Sequence, residues 1–173
     1  MNVRAMPVML SLIFTLFLLF GGWFAYQQFY VQQPIEAFIK QKQHITLHDM
    51  RIDNNQVNLY LDFSQPDDFV DDYKEIQEFV ASKAPNKDVF IHLSKHGENM
   101  KDLWEEEYFG LAEAIQKQEY SRIPEMIEEM GKKRQLEKTV ARMDDQNVYV
   151  FLQSGTDHLY AVLPLKEEVN IHE

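Results

Sequence analysis

The amino-acid sequence predicts an α+β fold, an N-terminal apolar helix followed by one mixed-sheet domain whose elements run α-β-β-α-β-α-α-β-β-β with helices packed on the sheet. Three observations predict it. Residues 7–26 are an uninterrupted apolar run, the segments 45–63 and 147–163 alternate with a strand's period of two, and 69–84 and 100–115 repeat apolar residues at helical spacing.

The apolar run, Pro7 to Tyr26, carries no charge over twenty residues. At 1.5 Å rise per residue it measures about 30 Å, the hydrocarbon thickness of a bilayer. Trp23, Tyr26, Phe29 and Tyr30 gather at its C-terminal end, where amphipathic rings settle at the headgroup level. A cleaved secretory signal would be shorter and would end on a small-x-small site. Gly21-Gly22-Trp23-Phe24-Ala25-Tyr26 is too bulky for that, so an uncleaved, single-pass anchor is expected. Arg4 and the terminal amine precede the span, which places the N-terminus in the cytoplasm and the C-terminal domain outside. The chain then divides into a short N-terminal segment 1–6, an anchor 7–26, a helical stalk 27–43 and an extracytoplasmic α+β domain 44–173.

In the stalk, Ile35, Phe38 and Ile39 share one side, and Pro34 suits a helix start. Ile45–Ile52, the turn formers Asp53-Asn54-Asn55, and Val57–Phe63 read as a hairpin. Ser64-Gln65-Pro66-Asp67-Asp68 opens a helix whose Phe69, Tyr73, Ile76, Phe79 and Val80 form an apolar face to about Ala84. Asp88–Leu93 is apolar on both faces and reads as a central strand. Gly97–Tyr120 follows as a helix, then Glu125–Met130 as a short helix closed by Gly131. Leu136–Met143 is read as a strand, and Asn147–Gln153 with His158–Leu163 as a hairpin around Ser154–Asp157 that Pro164 ends. The first α-β-β-α-β run, Ile35 to Leu93, resembles in element order the ring-building and BON-type modules of envelope proteins that assemble beside membranes. That resemblance is one of order alone and implies a fold, not an activity.

Composition excludes several function classes. The chain carries 28 acidic and 17 basic residues, net −11, and every acid follows residue 27, the opposite of the basic footprint that nucleic acid demands. With no cysteine there are no disulfides, thiolate metal sites or cysteine nucleophiles, so the fold stands on its core. The i, i+4 histidine pairs His44/His48 and His92/His96 fall on strands, where four residues span roughly 13 Å, too far to share one ion. They read as structural, and no metal or cofactor is expected. The acid clusters Asp67/Asp68/Asp71/Asp72, Glu105/Glu106/Glu107 and Glu125/Glu128/Glu129 lack the alternating ligands of a calcium loop and read as solvated helix faces. Ser154 lacks a nucleophile elbow, and the glycines form no phosphate loop.

Two surfaces remain as candidates for a partner. Tyr60, Tyr149, Phe151 and Tyr160 alternate with aliphatic residues, so both strand faces are partly apolar; either a second layer covers them or a partner does. Glu105, Glu106 and Glu107 form an acidic helix face able to steer a basic partner. The expectation is a non-enzymatic, membrane-anchored protein that docks another envelope protein through a sheet surface or edge and an acidic helix face. A sensory domain that binds a small molecule or cell-wall fragment is the alternative, and an enzyme of unrecognised type ranks third.

Overall fold

A computed structural model of the chain describes residues 5–94 and 97–165. It begins with α1, Ala5–Tyr26, whose large apolar side chains are exposed throughout. Within the unbroken 36-residue helical run Met6–Gln41, this is the part long and apolar enough to cross a membrane. Tyr26, Gln32 and Gln33 all keep right-handed helical dihedrals, so no loop interrupts the run. Between Gln27 and Gln32 the turns widen to π geometry, with the Gln33 amide donating to Gln28 O. One extra residue in a turn rotates the following face by about 100°. Beyond it, α2 (Gln33–Gln41) presents Ile35 and Ile39 to the domain interior, 0% and 1% exposed. From Val31 onward, the segment expected as a stalk is therefore part of the core.

Next come β1 (Ile45–Ile52), β2 (Gln56–Phe63), α3 (Phe69–Lys83) and β3 (Asp88–Leu93). β1 and β2 are antiparallel, with a bulge at His48 where the register shifts between Leu47 and Asp49. β2 and β3 are parallel, joined across α3. Val57, Leu59, Leu61 and Phe63 point inward from β2 against α2 and α3, which stack on each other through Phe38 and Phe79 at 4.1 Å. The remaining elements are α4 (Glu98–Gln116), α5 (Arg122–Arg134), and the meander β4 (Lys138–Met143), β5 (Asn147–Ser154) and β6 (Asp157–Pro164). Here Val148, Val150, Leu152, Leu159 and Leu163 face Trp104, Leu111, Ile123 and Ile127 of the two helices.

The element order agrees with the sequence, but the expected single mixed sheet is two three-stranded sheets, β1-β2-β3 and β4-β5-β6. The other face of the second sheet, through Tyr149, Phe151 and Tyr160, packs on the start of α3 and the end of β2. Phe69 lies 4.6 Å from Tyr160 and 6.1 Å from Tyr149 by ring centroids, and Tyr73 lies 5.7 Å from Tyr149. Side-chain stacking, not backbone pairing, thus joins the halves. β3, expected as a central strand, lies at the edge beside β2, with Phe90 41% exposed. Gly131 does not close its helix. α5 runs on to Gln135, which adopts the left-handed closing conformation (φ 54°). Gly131 is instead where α5 approaches β4, since a Cβ there would come within 2.8 Å of Thr139 Cγ2.

Polar ties lock the joint. Asp144, at the turn between β4 and β5, takes the Lys74 ammonium of α3 at 2.7 Å, the Gln146 and Asn147 amides at 2.8 and 2.7 Å, and the Tyr149 hydroxyl at 2.9 Å. Burial alone would raise this carboxyl; the four donors outweigh it and hold it far below the usual carboxylate range. Asp67 adds contacts to Lys138 at 3.2 Å and, through its carbonyl, to Arg142 at 3.0 Å. A carboxyl whose folded pKa is depressed stabilises fully above its unfolded pKa of about 3.9 and loses that contribution as pH falls below it. Asp144→Asn is expected to lower the unfolding free energy by about 1–3 kcal/mol at pH 7. Denaturant melts on the same pair should show the gap to wild type closing below about pH 4.

Candidate functional site

The first sheet has one face on α2 and α3, and its opposite face, as far as β1 to β3 carry it, is turned to solvent. Strand alternation places Asn58, Tyr60 and Asp62 of β2 on that face, and at its far end Asp62 meets His158 of β6 at 3.6 Å, so the open part is the stretch around Asn58 and Tyr60. Register sets Arg51 and Phe90 to either side of Asn58, and Asp49 and His92 to either side of Tyr60. Two rows of three residues result. The Tyr60 and His92 rings stack at 4.6 Å, and His92 Nε2 donates to Asn58 Oδ1 at 2.9 Å. The Arg51 guanidinium sits 5.2 Å from the Tyr60 ring centre, and its Nε donates to Asp49 Oδ2 at 2.8 Å. Phe90 stands beside this network.

The arrangement is pre-organised. Several of its polar atoms already have partners within the face, among them His92 Nε2, Asn58 Oδ1, Arg51 Nε and the Asp49 carboxylate, which lowers the cost of covering them with another surface. Tyrosine and arginine are also the side chains enriched where interfaces concentrate binding energy. β3 adds a second feature: among the described residues it pairs with β2 alone, which leaves one backbone edge for strand addition.

The other residues marked from the sequence fall elsewhere. Tyr149, Phe151 and Tyr160 are 2–4% exposed and form the joint between the halves, so the surface reading does not hold for them. Their covering layer is the first half of the same chain. Burial pushes the Tyr160 and Tyr149 hydroxyls above the ordinary tyrosine range, with Asp62 and Asp67 adding to it at Tyr160 and Asp144 at Tyr149. Glu105, Glu106 and Glu107 remain on the surface of α4 but face basic residues. Glu106 pairs with Arg134, Glu107 meets Lys133 at 3.4 Å, and Glu105 meets Lys101 at 3.8 Å. Glu106 and Glu107 therefore also pin α4 to α5, whereas Glu105 pairs within α4, and Phe109 beside them is 76% exposed.

Asp72 departs most from its expected place. Read as part of a solvated face, it is buried against Lys42 Nζ at 2.7 Å and hydrogen-bonded to His44 Nε2. Lys42 also reaches Glu75 at 2.5 Å. Burial would lower the Lys42 ammonium, but its bonds to Asp72 and Glu75 outweigh this and raise it above the ordinary lysine range. This cluster ties the exit of α2 to α3. A signal existed: Asp72 follows Phe69 by three and precedes Ile76 by four, which puts it on the apolar stripe. His44 thus holds Asp72, His92 belongs to the open sheet face, and His96 lies outside the described residues. Among the described residues no three His, Asp or Glu side chains gather closely enough to hold a metal ion.

Concave features are open and shallow. One groove of about 530 Å³ runs between α2 and β1, lined by Gln32, Glu36, Ile39, Lys40 and the first residues of β1. Another depression of about 530 Å³ lies at the β1–β2 turn, bounded by the 52–56 turn, Asp88 and Phe90.

If the open face serves contact rather than folding, its residues and the joint residues must respond differently to truncation. Tyr60→Ala is expected to cost about 0.2–1 kcal/mol, the range of a cross-strand pair. Tyr160→Ala should cost about 3–5 kcal/mol, as large interior rings do. Chemical denaturation of the two variants side by side makes the comparison.

No protein-family model matches the chain, and neither characterised proteins nor solved structures show a significant match, so the geometry alone carries the functional reading.

Proposed function

We propose that the chain is a membrane-anchored binding and assembly protein, non-enzymatic, which holds its α+β domain outside the membrane and docks another envelope protein on the open face of its first sheet. The observation that carries this reading is the Tyr60–His92 stack with Arg51, Asn58 and Phe90 around it, an aromatic and guanidinium surface on the side of the sheet turned away from α2 and α3, which β6 meets only at its far end, through His158 and Asp62. The exposed apolar surface of α1 supports the anchor. Large side chains from Met6 to Phe24 lie in the open, and apolar area costs about 25 cal/mol per Å² in water that it does not cost in lipid. Arg4 before the span supports a cytoplasmic N-terminus.

The charge pattern adds to the reading. A net charge of −11, all of its acids after residue 27, supports a basic partner drawn by long-range attraction. Such attraction acts on encounter, while the aromatic face fixes the docked pose. Glu105, Glu106 and Glu107 would contribute to that field despite their pairing, because exposed ion pairs remain solvated and exchange freely.

A photoreactive amino acid placed at Tyr60 in the full chain, irradiated in its native membrane, tests this reading. The expected result is a defined crosslinked species that is lost when Arg51→Ala and Phe90→Ala are combined with the probe. Recovery of the uncrosslinked chain alone, with the protein in the membrane fraction, would contradict it.

A further inference from the structure

We propose that the end of the domain bearing the β1–β2 turn is itself a lipid-headgroup contact surface, so that the domain stands directly on the bilayer rather than hanging from it. The proposal rests on the anchor reading above and adds where and how the folded domain meets the membrane.

The geometry follows from helical continuity. A span from Pro7 to Tyr26 uses up about 30 Å, which sets Gln27 at the edge of the hydrocarbon. Phe29 and Tyr30, exposed beyond it, mark a headgroup layer that continues at least one further turn, and Tyr26 stacks on Tyr30 at 5.3 Å. Within this layer the Gln27 side-chain amide donates to Ile52 O at 3.3 Å. That bond brings the last residue of β1 to the depth of Gln27. Val31, one turn later, is already buried in the domain core.

The surface at this depth has the chemistry of a headgroup contact. The turn residues Asp53, Asn54, Asn55 and Gln56 are exposed, and the Asp88 amide donates to Asn55 O at 2.8 Å, which sets β3's first residue beside them. Together with Phe90 they bound the open depression of about 530 Å³ described above. The side-chain amides of Asn54, Asn55 and Gln56 can donate to phosphate and ester oxygens, while Phe90, level with Asn58, stays on the sheet face above them. The Lys87 ammonium is engaged by Asp53 O at 2.5 Å and Asn54 O at 2.8 Å, so it stiffens the turn. With carboxylates at Asp53 and Asp88, a zwitterionic surface suits this end better than an anionic one.

The absence of cysteine makes the test clean. Single variants Asn54→Cys, Gln65→Cys and Leu18→Cys of the full chain are labelled with one fluorophore and reconstituted in phosphatidylcholine vesicles that carry nitroxide either on the headgroup or along the acyl chain. Gln65 lies past the far end of β2, about 25 Å from the turn at 3.3 Å per residue. Headgroup nitroxide should quench the label at Asn54 several-fold more than that at Gln65, while acyl-chain nitroxide quenches the label at Leu18. Equal quenching at Asn54 and Gln65, with Leu18 still quenched, would overturn the contact and leave the anchor standing. Failure to quench Leu18 would overturn both.

Discussion

Ile35 and Ile39, buried in the core from a helix that is continuous with the exposed apolar run of α1, are the constraint on which the rest depends. A membrane helix followed by a flexible linker would leave its domain free to rotate. Here the helix enters the domain as one of its packed layers, and the π-type turns at Gln27–Gln32 re-aim its face toward β2 and α3. The Lys42–Asp72–His44 cluster then fixes the exit of α2 against α3, so the segment is held at both ends.

The second structural dependence is the aromatic joint. Phe63 and Phe69 from the first half meet Tyr149, Phe151 and Tyr160 from the second, and offset and edge-on rings fill the gap between them. Lys74–Asp144 and Asp67–Lys138 surround it with charge. The joint uses up the aromatic residues of the second sheet, which leaves Tyr60 as the one member of the sequence-marked aromatic set still facing outward. The first sheet thus has one face given to the fold and one that stays open around Tyr60, up to the point where His158 meets Asp62.

Local structure was legible in the sequence because it is written locally. Period-two alternation in Val57–Phe63 and the Asn147–Leu163 hairpin found their strands, and the helical stripe from Phe69 to Val80 found α3. Which strands pair was not legible. β3 and β4 are separated by two helices, and nothing in either strand states whether they share a sheet; the answer lies in the fit of Tyr149 and Tyr160 against Phe69, a contact made across some eighty residues of chain. Asp72 is hard to place from sequence for the opposite reason. Its neighbours Asp67, Asp68 and Asp71 suggested a wet face, while its helical phase already placed it among Phe69 and Ile76. The open face around Tyr60 was only partly legible, since the alternation identified an outward row but could not tell which rows the second half would cover.

A rigid passage from bilayer to sheet would give the proposed docking face a fixed height and orientation above the membrane, and a partner with its own membrane tether would meet it at a defined level. That rigidity is the central claim. It is tested most directly by the distance distribution between spin labels at Thr15→Cys in α1 and Glu78→Cys on α3, measured by pulsed electron paramagnetic resonance on the reconstituted full chain. A single narrow distribution is predicted, because α1 runs unbroken into α2 and α2 packs on α3; a broad distribution would contradict the account, since it would mean that the Gln27–Gln32 turns act as a hinge.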